Sequence, residues 1–284
     1  MAEPLRASCL CGAVRWSVVG PLDLMHHCHC GRCRKTHGTP FATFAAASAT
    51  GFRLEGNEHL VNYIDPAGTG ARVFCGRCGS VVPGEVAGER VFVPVGNFAY
   101  DPGVRALAHI FTAAKVPWGG IHDDLPCFAS WPPDFEGPVL ADRPPLDPPG
   151  RLRGSCLCGE VAYVLEEAPA RAHACHCSRC RRAHSAAHAT NLFTTARGVR
   201  FTRGEDRVSR FKLPDARFFA QHFCRTCGAP MPRIDPERDV AIVAMGTLDD
   251  DPGPLDIRHI YVGSKAPWME IGDGRPQFAE HYRR

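Results

Sequence analysis

Fourteen of the fifteen cysteines in this chain fall into two copies of one pattern: Cys-x-Cys, then Cys-x-Cys-x-x-Cys, then Cys-x-x-Cys. The first copy is Cys9 and Cys11, then Cys28, Cys30 and Cys33, then Cys75 and Cys78; the second is Cys156 and Cys158, then Cys175, Cys177 and Cys180, then Cys224 and Cys227. Thiols one or two residues apart can point into one small volume, so these clusters read as tetrahedral metal ligation, with zinc as the metal. Each copy has seven thiolates, one short of what two tetrahedral sites need. The economical partition joins Cys9 and Cys11 to Cys75 and Cys78, and Cys156 and Cys158 to Cys224 and Cys227, as closed structural sites. Gly12 and Gly79 follow these pairs and let the backbone turn tightly around a metal. Cys28, Cys30, Cys33 and Cys175, Cys177, Cys180 then remain as three-thiolate sites with one position free, the mark of catalytic zinc.

Several neighbours bear on that free position. His37 and His184, four residues past the last cysteine of each triplet, can close the site or carry protons. His29 and His176 lie between ligands and are expected to point away, and His26 and His173 are also shared by the copies. The flanking Arg32, Arg34 and Lys35, with Arg179, Arg181 and Arg182 in the second copy, would offset thiolate charge and hold an anionic substrate; the plain alternative is solvated surface. Lys115 with Trp118, and Lys265 with Trp268, are repeated too; they read as a pocket wall carrying a cation for an acidic group, or as core packing. Asp123 and Asp273 suit acid–base work or turn formation. Cys127 aligns with Gln277 and is expected to be a free thiol outside the metal sites.

The elements that position these residues are duplicated as well. Ser8 to Gly12 recurs as Ser155 to Gly159, Phe74-Cys75-Gly76-Arg77-Cys78-Gly79 as Phe223-Cys224-Arg225-Thr226-Cys227-Gly228, and Lys115-Val116-Pro117-Trp118 as Lys265-Ala266-Pro267-Trp268, so the chain is a tandem repeat. Seven prolines within residues 132–150 predict an extended connector between a first domain, 1–131, and a second, 151–284. Val14, Trp16 and Val18, and again Val161, Tyr163 and Leu165, alternate as in half-buried strands. Val91 to Val95 and Val240 to Ala244 read as buried strands. Long amphipathic helical patterns are absent. The expected fold class is mainly β, two tandem domains of short antiparallel strands, with one helical turn after Cys33 or Cys180. With 284 residues, a net charge of +3 and 44% hydrophobic residues, the chain reads as globular and argues against a dedicated nucleic-acid surface. Without a secretory or membrane-spanning apolar run, the expected location is cytoplasmic, where close-spaced cysteines hold metal rather than form disulfides. Two similar domains on one chain are expected to pack as an internal pseudo-dimer.

In their order and spacing, Cys-x-Cys-Gly, Cys-His-Cys-x-x-Cys-Arg, Phe-Cys-x-x-Cys-Gly and the late Lys-x-Pro-Trp resemble the glutathione-dependent formaldehyde-activating enzymes and centromere protein V. The resemblance covers both halves and departs from the usual single domain by the duplication. It implies a β-tent fold, a structural zinc on Cys9, Cys11, Cys75 and Cys78, and a catalytic zinc on Cys28, Cys30 and Cys33, with the same assignments in the second copy. It further implies a carbon–sulfur lyase chemistry that joins a small thiol, glutathione, to formaldehyde to give S-hydroxymethylglutathione. Two alternatives use the same residues: a zinc-dependent hydrolase of an imine or related carbonyl derivative, and a non-catalytic zinc-stabilised binding scaffold with the three-cysteine site closed. Two zinc ions per domain are expected, and elemental analysis of protein purified without added metal should return about four per chain. A value near two would refute the division into two sites per copy.

Overall fold

The structure is a computed structural model that describes residues 3–66, 70–84, 86, 88–133, 135, 137 and 150–282. Most of the proline-rich connector, 138–149, lies outside the described residues. The first copy contains strands β1 (Leu5–Ser8), β2 (Arg15–Val18), β3 (Asp23–Cys28), β4 (Ala42–Ser48), β5 (Phe52–Glu55), β6 (Leu60–Ile64), β7 (Ala71–Cys75), β8 (Arg90–Pro94) and β9 (Ala108–Ile110). The second contains β10 (Leu152–Ser155), β11 (Ala162–Leu165), β12 (Arg171–Cys175), β13 (Ala189–Thr194), β14 (Val199–Arg203), β15 (Val208–Lys212), β16 (Ala220–Cys224), β17 (Arg233–Asp235), β18 (Val240–Ala244) and β19 (Ile257–Ile260).

Each copy builds a three-stranded sheet (β1-β2-β5; β10-β11-β14), a hairpin (β6-β7; β15-β16) and a larger sheet, β8-β4-β3-β9 in the first copy and β17-β18-β13-β12-β19 in the second. The mainly β, tandem architecture is therefore the observed one. Pairing is antiparallel except for β3 with β9 and β12 with β19, which run parallel; these need a long return, and the whole of β4 to β8 lies inside it. The alternation in β2 buries Trp16 and Val18, and continues to buried Val14 just before the strand. In β11 both faces are covered, since Ala162 and Val164 are buried beside Tyr163 and Leu165.

Helix α1 (Gly31–His37) and helix α2 (Ser178–His184) contain Cys33 and Cys180 rather than following them. The reason is local: the Sγ of Cys30 accepts the N–H of Cys33, and that of Cys177 accepts the N–H of Cys180, so a thiol of each triplet is also the N-cap. Gly38 and Ser185 end the helices in the left-handed conformation.

The copies are in extensive contact, and the contacts are reciprocal. The Nδ1 of His37 donates to the carbonyl of His184 at 2.7 Å, and the Nδ1 of His184 to the carbonyl of His37 at 2.6 Å. Phe74 and Phe223 meet edge to face at 6.3 Å. A side chain at Gly79 would strike Phe223, and one at Gly228 would strike Phe74, so these glycines, both at positive φ, are needed for the close approach as well as for the turn after each Cys-x-x-Cys. Trp118 of the first copy belongs to the core of the second, while Trp268 of the second belongs to the core of the first, where its ring lies 6.4 Å from that of His27 on β3. Among the described residues no helix is long and apolar enough to cross a membrane. Because each tryptophan fills the opposite core, Trp268→Ala should destabilise the protein by about 3–5 kcal/mol. Faster amide exchange should then appear in β3 of the first copy, where His27 lies beside the ring. Exchange confined to residues 257–282 would refute the crossed packing.

Candidate metal centres

The fold brings the cysteines together in four groups: Cys9, Cys11, Cys75 and Cys78; Cys156, Cys158, Cys224 and Cys227; Cys28, Cys30 and Cys33; Cys175, Cys177 and Cys180. Within each group all sulfurs lie within 4.8 Å of one another. The closest pairs are 3.5 Å (Cys9 and Cys11), 3.7 Å (Cys11 and Cys75) and 3.4 Å (Cys156 and Cys158). Sulfurs at the corners of a zinc tetrahedron are about 3.8 Å apart for Zn–S bonds of about 2.3 Å, so donor chemistry and spacing both fit. In the four-cysteine groups the first pair comes from the turn after β1 or β10, and the second from the end of β7 or β16. The N–H of Val14 donates to the Sγ of Cys9, and that of Val161 to the Sγ of Cys156.

Without a cation these sulfurs cannot all ionise. The thiol of Cys28 donates to Cys30 and that of Cys175 to Cys177. That sharing, with burial, holds Cys28 well above its ordinary value. Cys30 and Cys177, which accept from their neighbours, are pulled down to about 2. A divalent ion removes the conflict by replacing the shared protons.

The three-cysteine groups have no fourth donor: among the described residues no imidazole nitrogen or carboxylate joins either group within 4.8 Å. His37 and His184 instead join the two copies, and burial lowers the pKa of both, to about 4 at His37. His29 and His176 do point away, into a feature invisible in the spacing. The Nε2 of His29 meets the Nδ1 of His109 at 2.8 Å, and the Nε2 of His109 meets Asp123 at 3.0 Å. His176, His259 and Asp273 repeat the chain at 2.9 Å in both links. Since a carboxylate only accepts, singly protonated rings must donate from Nε2 of His109 and then from Nε2 of His29. The Nδ1 of His29 is left buried without a hydrogen-bond partner, as is that of His176. Asp123 also accepts the N–H of Leu125 and Asp273 that of Arg275, so the turn role and the histidine contact coexist. The chains end at a cavity of about 580 Å³ between the copies, which Trp118 and Trp268 also line.

The basic residues flanking the triplets are placed differently from expectation. Arg34 donates to the carbonyls of Gly246 and Leu248, and Lys35 forms a 2.5 Å ion pair with Asp249, with side chains only 7% and 4% exposed. Arg181 is buried and reaches the carbonyl of Phe98, and Arg182 turns back to that of Ser178. Arg32 and Arg179 pair with Asp65 and Asp215. A short helix pressed between two copies directs its i+1 and i+2 positions across the interface, so Arg34 and Lys35 face the other copy rather than the thiols. Lys265 donates to the carbonyl of Met269. Lys115 is half-buried; burial lowers the pKa of His29 to about 3, helped by the charges of His109 and Lys115. His26 bonds the carbonyl of Leu24, and His173 the hydroxyl of Tyr282. Cys127 is exposed, free and aligned with Gln277, each bridging the equivalent histidine strand.

Arg72 on β7 does reach a thiol group, with its Nη2 3.8 Å from the Sγ of Cys33. Its counterpart on β16 is Gln221, in the same register three residues before the Cys-x-x-Cys. The walls differ too. Phe44, Phe111, Phe128 and Trp131 pack against the cluster of Cys28, Cys33, Ala42 and Ile110, whereas in the second copy these aromatic positions are Asn191, Tyr261, Phe278 and His281. Burial, followed by the charges of Cys175 and Cys177, raises the pKa of Tyr261. Arg72 lies 39 residues from Cys33, and only the hairpin return makes them neighbours.

The family described as "Glutathione-dependent formaldehyde-activating enzyme" matches residues 4–114 and again 151–264. A Halomonas elongata protein named "Putative glutathione-dependent formaldehyde-activating enzyme" is 31% identical over 174 residues, which is 59% of this chain and 95% of that protein. A Rhodobacter sphaeroides protein of known crystal structure is 27% identical, with a TM-score of 0.29, covering 37% of this chain and 97% of that one. Because the four-cysteine groups tie distant segments together, Cys75→Ser should unfold or aggregate the first copy, while Cys30→Ser should lose one metal and keep the fold. Circular dichroism with metal analysis checks both, and equal loss of structure in the two variants would refute the difference in role.

Proposed function

Because the chain belongs to the glutathione-dependent formaldehyde-activating enzyme family, we propose that it is a zinc-dependent carbon–sulfur lyase acting on a small thiol and a carbonyl compound, with glutathione and formaldehyde as the representative pair. The observation that supports this reading is the three-cysteine group with no fourth donor among the described residues. Cys9, Cys11, Cys75 and Cys78 would hold one zinc, and Cys28, Cys30 and Cys33 another; the second copy has the same two sets, giving four per chain. Zinc held by the three-cysteine group would supply a Lewis-acidic position at which a substrate thiol would be favoured as thiolate. In the reaction the thiol sulfur forms a bond to the carbonyl carbon, the C=O π bond breaks, and the thiol proton ends on the oxygen.

The remaining work falls to this chain's own residues. Arg72 sets a positive charge beside Cys33 that offsets the thiolates and favours an anionic ligand there. Phe111, Phe128 and Trp131 wall the first site and exclude water. The chain from His29 through His109 to Asp123 fixes the backbone between Cys28 and Cys30. We assign the two repeats, 1–131 and 151–284, to two β-tent domains joined by the 132–150 connector and packed as an internal pseudo-dimer. Cysteines that ligate metal and form no disulfides among the described residues suit the reducing cytoplasm. With cobalt in the three-cysteine sites, the visible spectrum should shift when glutathione is added, and alanine at both Cys33 and Cys180 should abolish that response and turnover. A fully loaded protein whose spectrum ignores every small thiol and carbonyl would refute this reading.

A further inference from the structure

Five arginines line a groove of about 500 Å³ on the side of the molecule where β1, β2 and β5 of the first copy meet α2 of the second: Arg6, Arg15, Arg53, Arg181 and Arg182, with Glu55 as the acid among them. None of the five is in an ion pair among the described residues. The repeat provides an internal control. On the opposite side, where β10, β11 and β14 meet α1, the equivalent of Arg6 is Arg153, held by Asp250 at 2.6 Å. The equivalent of Arg182 is Lys35, held by Asp249 at 2.5 Å, and that of Arg53 is Arg200, held by Glu166 at 2.8 Å. The strand registers and the paired bridges of Ala7 with Phe98 and of Gly154 with Leu248 fix these equivalences. They place Tyr100 where Asp250 stands, Ala99 where Asp249 stands and Val19 where Glu166 stands. One side therefore neutralises its cations internally, and the other has the same framework without the three carboxylates.

We propose that this groove is a binding site for a small polyanion bearing phosphate groups. Arg6, Arg15 and Arg53 are exposed; Arg15 bonds the carbonyl of Gly12 through Nε and Arg53 those of Thr50 and Phe52 through one Nη, which leaves the other guanidinium N–H groups to meet phosphate oxygens in the planar, two-pronged way that suits them. Arg181 is different: it is buried at the back of the groove, with its Nε lacking a partner. Charges gathered in a concave surface focus the field and strengthen attraction for an anion of more than one charge. The ligand takes the place that Asp249, Asp250 and Glu166 occupy on the other side. Helix α2 also carries Cys180, so the site is adjacent to, and separate from, the second three-cysteine group.

Calorimetry with tripolyphosphate on the metal-loaded full chain tests the assignment. One molecule should bind per chain, and raising the salt from low to physiological ionic strength should weaken binding. The decisive variant is Ala99→Asp with Tyr100→Asp, which rebuilds the other copy's ion pairs; it should weaken binding at least about tenfold, the scale of one or two charge-assisted contacts. Asp249→Ala with Asp250→Tyr should open the second groove and raise the stoichiometry towards two. If either double variant fails to fold, Arg53→Gln is an exposed single change that should weaken tripolyphosphate binding on its own. Absence of binding at low salt, or binding indifferent to Ala99→Asp with Tyr100→Asp and to Arg53→Gln, would overturn the proposal. Tighter binding of citrate would overturn the phosphate assignment, and a preference for single-stranded RNA would overturn the small-ligand assignment.

Discussion

Crowding of thiols is the constraint on which this structure depends. Sulfurs held within 4.8 Å of one another in four groups cannot all be thiolates unless a cation sits among them, and buried thiols that share protons are a poor substitute for coordination. The four-cysteine groups join the turn after the first strand of each copy to the end of a hairpin more than sixty residues later. A small β domain with short strands has little core with which to fix such a contact, and metal-sized clusters supply what the core lacks. The three-cysteine groups use the same chemistry differently. Cys30 and Cys177 also cap α1 and α2, so the geometry of each incomplete site is tied to the start of a helix.

Those helices are also the contact between the copies. Each is seven residues long, too short to be stable alone, and each is clamped by the other copy through buried side chains and the reciprocal histidine bonds. The exchange of Trp118 and Trp268 between cores couples the copies further: neither core is complete without a residue from beyond the connector. Position at an interface explains why Arg34, Lys35 and Arg181, beside the triplets, are buried struts. Lys35 with Asp249 is a buried pair whose removal on one side alone leaves an uncompensated charge.

The duplicated framework has diverged where its two halves face solvent or ligand. Arg72 beside Cys33 is matched by Gln221, and the aromatic wall of the first site by Asn191, Tyr261 and His281. Ala99 and Tyr100 are matched by Asp249 and Asp250. In both cases the backbone and its register are kept while charge is exchanged, which is how one fold comes to offer two electrostatic environments.

The grouping of the cysteines was legible in the sequence, because a thiol's chemistry and the short reach of Cys-x-Cys and Cys-x-x-Cys restrict the partition before any fold is known. The tandem repeat, the mainly β class and the glycines after each metal pair were legible for a similar reason: they are local patterns. The directions of Arg34, Lys35, Arg181 and Arg182 were not, since which way a short helix rolls depends on what covers it. Arg72 next to Cys33, and the chains from His29 and His176 to Asp123 and Asp273, rest on strand pairings such as β3 with β9 that join residues far apart in the chain. Sequence alone thus determined which atoms can hold metal. Only the tertiary structure decided which charges reach those atoms, because charge placement depends on long-range packing that spacing does not encode.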